Sequence, residues 1–290
     1  NTSTSAITLR GADMAIDGTA GVTATGVGGG VQIFSSVNTR PIALGDTNGT
    51  AVAGINLNDA ELARISNYGT LTVGEAGAQI GAITVTTVTN PVAAGSLVLN
   101  ANGVGGGIVL NDTGSEATPV VATALAAGSG TVALTAGSGG ITAATANNTT
   151  AEIATTGATV TLNTSGTVGT SANRIQFANN ATTTQQNVVV GSVGTQPSAV
   201  FLDGLNDLTL GNITTSTTNA NVSVTALGGL NVAGTINSGT GTISLGADRT
   251  YADAAGDGTG TLSLLASSSV TSANTSTSAI TLRGADMAID

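Results

Sequence analysis

Apolar residues recur along this chain in triplets that read apolar, polar, apolar, set between runs of Gly, Asn, Asp, Ser and Thr. Leu71–Val73, Ile83–Val85, Leu97–Leu99, Ile108–Leu110, Val132–Leu134, Val160–Leu162, Ile175–Phe177, Val188–Val190, Val200–Leu202, Leu262–Leu264 and Ile280–Leu282 are of this kind. A period of two places both apolar side chains on one face of a strand and the polar one on the other. The residues between the triplets tolerate turns and left-handed backbone. Gly, Thr, Asn and Ser also disfavour helix interiors, so the pattern predicts many short strands joined by turns.

A finer echo decides how such strands are arranged. Leu208–Ile213 is repeated in kind by Leu230–Ile236, and Val222–Val224 by Ile243–Leu245, at offsets of 22 and 21 residues. One inward pair per strand buries little by itself. A coil that stacks each triplet on its counterpart one turn later joins the pairs into a continuous apolar column. The expected fold is therefore all-β, a single-stranded right-handed parallel β-helix. An antiparallel sandwich uses similar strands but needs no echo at rung scale.

A much longer repeat is superimposed on the short one. The segment NTSTSAITLRGADMAID at Asn1–Asp17 recurs unchanged at Asn274–Asp290. This reads as a tandem array in which 1–273 is one β-helical repeat unit and 274–290 begins the next in the same solenoid. At about 21 residues per rung and a rise of ~4.8 Å, one unit would hold about 13 rungs.

Two stretches depart from the pattern. Asn56–Asn67 reads as a helical turn projecting from the coil, with a cap at Asn58 or Asp59 and Glu61 and Arg64 three apart. Ala143–Thr156 is polar and irregular and reads as a long turn.

Composition removes several classes of function. Hydrophobic residues are 40% of the chain and charged residues 8%, the reverse of what keeps a chain disordered. Sixteen acids against six basic residues, all Arg, give a net charge of -10. That balance excludes a basic groove for nucleic acid and electrostatic attachment to an anionic membrane. No apolar run reaches the roughly 18 residues of a membrane span, so no membrane insertion is expected, and the first residues lack the basic and apolar regions of a signal peptide. Without Cys there are no disulfides or thiolate sites. Without Lys there are no Lys–Asn isopeptide staples.

The runs Gly166–Phe177, Val200–Gly211 and Ala226–Leu245 resemble the β-helical repeats of filamentous-haemagglutinin-like and autotransporter-type bacterial exoproteins, most clearly from Gly128 to Leu282. The resemblance implies a right-handed β-helix exported to the bacterial cell surface, with roles in adhesion, biofilm or extracellular fibres.

Candidate chemistry adds little. Glycosidic catalysis on such a fold needs paired carboxylates and sugar-stacking aromatics. The chain has no Trp, and its aromatics are Tyr68, Tyr251, Phe34, Phe177 and Phe201, of which the last two sit at or beside inward triplet positions. With no His, Lys or Cys, any nucleophile or base would have to be Asp or Glu. No enzymatic activity and no cofactor are expected. The weak calcium candidates are Asp46 and Asn48, and Asp253 and Asp257; they match neither the twelve-residue loop nor the calcium-binding nonapeptide and read as turns. Gly28–Gly30 and Gly105–Gly107 precede triplets rather than helices, as rung corners do. Thr84, Thr86, Thr87 and Thr89 are the local hint of a regular Thr face for ice or glycan.

These observations predict a structural extracellular protein, a β-solenoid segment of a long tandem-repeat surface filament, self-associating end to end and laterally. The alternative is the stalk of a bacterial adhesin mediating cell–cell or surface attachment, with a glycan or host surface as partner.

Overall fold

A computed structural model describes residues 5–24, 30–45, 52–66, 69–89, 95–113, 123–156, 159–179, 187–191, 194–216 and 218–290. Their strands form sheets of 13, 14 and 2 strands. In the first sheet one column of side chains passes through Ile7, Val31, Leu71, Leu97, Val132, Val160, Val188, Leu210, Val232, Leu264 and Ile289. Each is the parallel register partner of the next. The second sheet carries a matching column of Ile42, Ile83, Ile108, Ile141, Val168, Val200, Val222, Ile243 and Ile280. The chain visits the two sheets alternately, and nearly all of both columns lies in one buried cluster. This is a parallel β-helix, and the triplets are its rungs.

The register bears out the finer echo: Leu208 stands beside Leu230 and Val222 beside Ile243. The rung count is a correction. From Ile7 to Ile289 the column takes ten steps over 282 residues, about 28 per rung. Eleven strands of the described residues lie on that path rather than 13 per unit. Single steps run from 22 residues, Val188 to Leu210, to 40, Val31 to Leu71. Triplets fix the ladder, whereas corners accept insertions because doubling a loop costs only ~0.6 kcal/mol of closure entropy. Corners also hold short strands without a full triplet: Val88–Thr89, Leu125–Ala126 and Ile153–Thr155 stack on one another there, and the last stacks on the triplet strand Ile175–Asn179.

Where the rungs turn, backbones approach closely. Gly74 has φ of 84°, and a Cβ there would lie 2.0 Å from the Asn100 carbonyl oxygen. Only Gly fits such a position. Gly105, at φ 87°, turns the corner between Ser96–Ala101 and Gly107–Asn111, as the Gly-rich run led one to expect.

The helical turn forms at Asp59–Leu62 with a capping box between Asn58 and Glu61. It does not project: Glu61 and Leu62 are buried. Glu61 Oε1 accepts the Ile16 N–H at 2.9 Å and the Arg64 guanidinium donates to the Ile16 carbonyl, so the two clamp Ile16 rather than pair with each other. The preceding strand Ile55–Asn58 pairs with Ile42–Gly45 on the side away from Ile83–Thr86. The following Ile65–Ser66 pairs with Val22–Thr23. The excursion thus folds back and fills the second-sheet place in the rung that Ile7–Gly11 begins.

The two copies of the long repeat occupy different places. Ile7–Gly11 lies on the first sheet beside Gly30–Ser35, whereas the identical Ile280–Arg283 lies on the second beside Ile243–Gly246. Asp286–Ile289 then returns to the first sheet beside Thr261–Leu264. Ile16 is 5% exposed and its twin Ile289 69%. The repeated arginine finds an acid in both settings, Glu75 for Arg10 and Asp253 for Arg283.

Candidate functional site

From Ala76 to Leu202 the charged residues among those described are Asp112, Glu152 and Arg174, and all three are buried. They converge on one corner of the coil. Ile153–Thr155 stacks on Ile175–Asn179, which stacks on Ala199–Gly204, which stacks on Val222–Ala226. That register sets Gln176 beside Asp203 and Asp203 beside Thr225, with Glu152 one residue before the first of these strands. The result is a buried polar column across four rungs.

Its hydrogen bonds run along the coil axis. Glu152 Oε2 accepts the Gln176 N–H at 2.6 Å. Gln176 Nε2 donates to Asp203 Oδ2 and to the Asn148 carbonyl, both at 2.9 Å. Thr225 Oγ1 donates to Asp203 Oδ1 at 2.6 Å. On the flank, Asp112 accepts from Asn148 Nδ2 at 2.7 Å and from Thr145 Oγ1, and the Asn148 N–H donates to Gln176 Oε1 at 2.8 Å. Arg174 donates from Nη1 to the carbonyls of Leu202 and Ser223, at 3.0 and 3.1 Å, and from Nη2 to Ser223 Oγ at 3.0 Å.

Burial governs the charges. Desolvation, with some help from Asp112 and Asp203, pushes the Glu152 carboxyl up to about 8, against the bond from the Gln176 N–H. Burial also raises Asp203, opposed by hydrogen bonds from Thr225 and Gln176 and by the Arg174 charge. Arg174 is lowered, again chiefly by burial. A carboxyl that holds its proton near neutrality, at 1% exposure, is neither a nucleophile nor a site that substrate reaches. What the column can do is tie four rungs together in a way that depends on pH.

The residues singled out by sequence lie elsewhere. Asp253 accepts from Arg249 Nε at 3.0 Å and from Arg283. Burial alone would raise its carboxyl, but these two guanidiniums hold it below the usual range. Asp257 accepts the N–H and hydroxyl of Thr259 at 3.0 and 2.6 Å. Asp46, Asn48 and Tyr68 lie outside the described residues. No group of three or more acids among the described residues is arranged to hold a metal ion. Thr84 to Thr89 is not a flat array: Thr86 is buried, Thr87 turns at φ 47°, and Thr89 donates to Asp59. Phe177 is core, whereas Phe201 sits outward beside Ser223.

Glu152, Asn148 and Thr145 fall in Ala143–Thr156, which the sequence pattern assigns to a turn, whereas Asp112, Gln176 and Asp203 of the same network come from other rungs. The signal available was different: an isolated charge within more than a hundred otherwise nearly uncharged residues is a charge held inside. An open cleft of about 580 Å³ lies where residues 12–21 leave the first rung, lined by Arg10, Asp13, Met14 and Ile16 among others. Among the described residues no helix is long and apolar enough to cross a membrane. Set against family models, curated proteins and solved structures, the chain matches none.

Proposed function

We propose that this chain is a structural protein, a β-solenoid segment of a tandem-repeat extracellular filament on a bacterial surface. The observation that carries the reading is the unbroken apolar column of eleven register partners from Ile7 to Ile289. A ladder of this kind resists extension along its axis because every rung is hydrogen-bonded and packed on both neighbours.

The ends support continuation into further units. One end presents Ile280 and Leu282 on the second sheet and Met287 and Ile289 on the first. At the other end the outermost strands carry Ile55 and Leu57 on the second sheet, both already buried, and the half-buried Ile7 and Leu9 on the first. All four pairs have the same spacing, so another unit, in the same chain or another, extends both ladders and covers edges that would otherwise aggregate.

Antibodies against the chain, applied to intact cells and viewed by electron microscopy, test this. Label distributed along surface filaments is the expected result. Label confined to the cell interior overturns it, and label restricted to a stalk beneath a distinct head replaces the filament by an adhesin stalk.

A further inference from the structure

The outward positions of the first sheet form a face of their own. Gln32, Thr72, Val98, Ala133, Thr161 and Val189 stand in one register column. The adjacent column, from Thr70 to Ser263, consists of Thr, Ser and Asn. No charged side chain lies on either, and the side chains of both are half-buried by their neighbours. The eight strands from Thr70–Val73 to Thr261–Leu264, at ~4.8 Å spacing and each about five residues or ~16 Å wide, give a face of roughly 600 Å², with the outward Arg10 and Asp286 on strands beyond it. That is the lower end of what each partner contributes to a specific protein interface.

A second observation lies at the corner where these strands end. Val37, Ile80 and Val104 are 42%, 41% and 91% exposed. They occupy consecutive rungs, linked by Ile80 N–H to Asn38 O and Gly103 N–H to Gln79 O, both at 2.8 Å. Exposed apolar side chains aligned along a corner mark a surface that something covers.

Charge distribution selects the occupant. Rods with a net charge of -10 repel one another, yet the described residues from Ala76 to Leu202 expose no charge at all. A sugar-binding face would need aromatic rings or converging carboxylates, and neither column has them. A second uncharged face of the same shape meets no such obstacle.

We propose that two copies of this chain pair side by side through the outward face of the first sheet, with the Val37–Ile80–Val104 ridge at its margin. The pairing rests on the rod reading above and gives the filament a lateral contact.

Sedimentation velocity of the whole chain across a concentration series tests it, with small-angle scattering on the same samples. The wild type should dimerise, and Thr161→Lys and Val104→Asp should each weaken dimerisation at least tenfold. Thr84→Lys, on the outer face of the second sheet, should leave it unchanged. Val104 sits at an exposed turn tip, so its variant keeps the fold even if Thr161→Lys does not; thermal melts of each report this. A wild type that scatters as a rod but stays monomeric overturns the pairing alone, as does a monomer that binds polysaccharide or ice through this face. A particle that is not a rod overturns the solenoid reading and the pairing together. Equal weakening by Thr84→Lys overturns the assignment to this face.

Discussion

Glu152 shows how a single residue makes a rod sensitive to pH. In the unfolded chain its carboxyl loses its proton near the ordinary 4.5, and in the coil near 8. Between those values the folded state carries the extra proton, so stability falls as pH rises. The stabilisation is complete below about 4.5 and is lost as pH climbs through about 8. Each unit of difference corresponds to about 1.4 kcal/mol. Urea denaturation at pH 5 and pH 8.5 should therefore give a lower midpoint at the higher pH. Glu152→Gln retains an acceptor for the Gln176 N–H and should remove much of the difference. A residual slope of the same sign is expected from Asp203, whose carboxyl is also raised. An unchanged slope in Glu152→Gln would show that this carboxyl is not the group responsible.

Elements with a full triplet were legible in the sequence, because two inward side chains at i and i+2 are both a strand signal and the rung itself. Leu208–Leu210 and Val222–Val224 announce even their partners. The corner strands were not legible: Leu125–Ala126 and Ile153–Thr155 are too short to alternate, and burial there comes from stacking across rungs. The polar column shares this fault, since its order Glu152, Gln176, Asp203, Thr225 exists only once the rungs are in register. Truncating an inward residue, as in Leu210→Ala, should cost about 2–5 kcal/mol in chemical denaturation. The outward Thr209→Ala should cost within about 0.5 kcal/mol. The long repeat teaches a different lesson, that identical residues take the place their neighbours offer. Cysteine pairs at Thr8 and Gln32, and at Ser244 and Thr281, stand in register, and strand spacing of ~4.8 Å suits a disulfide. Both pairs should cross-link on oxidation, read by mass spectrometry, whereas Gln32 with Thr281 should not do so within one chain. Cross-linking of that last pair would contradict the separate placements.

At the scale of the molecule, the coil explains why so small an aromatic content and no disulfide suffice: the apolar pairs of each rung are covered by those of the next. It also explains the distribution of charge, with exposed charged residues toward the two ends and a middle where Asp112, Glu152 and Arg174 are taken inside. Spin labels on outward residues of the first sheet test the coil most directly, through pulsed dipolar distances from Thr8 to Thr72, Ala133 and Val189. These stand two, four and six strands away. At ~4.8 Å per strand the expected separations are about 10, 19 and 29 Å, the first read from line broadening. Distances that rise in equal steps confirm stacked parallel rungs; distances that fail to order by strand, or that fold back toward short values at Val189, contradict them.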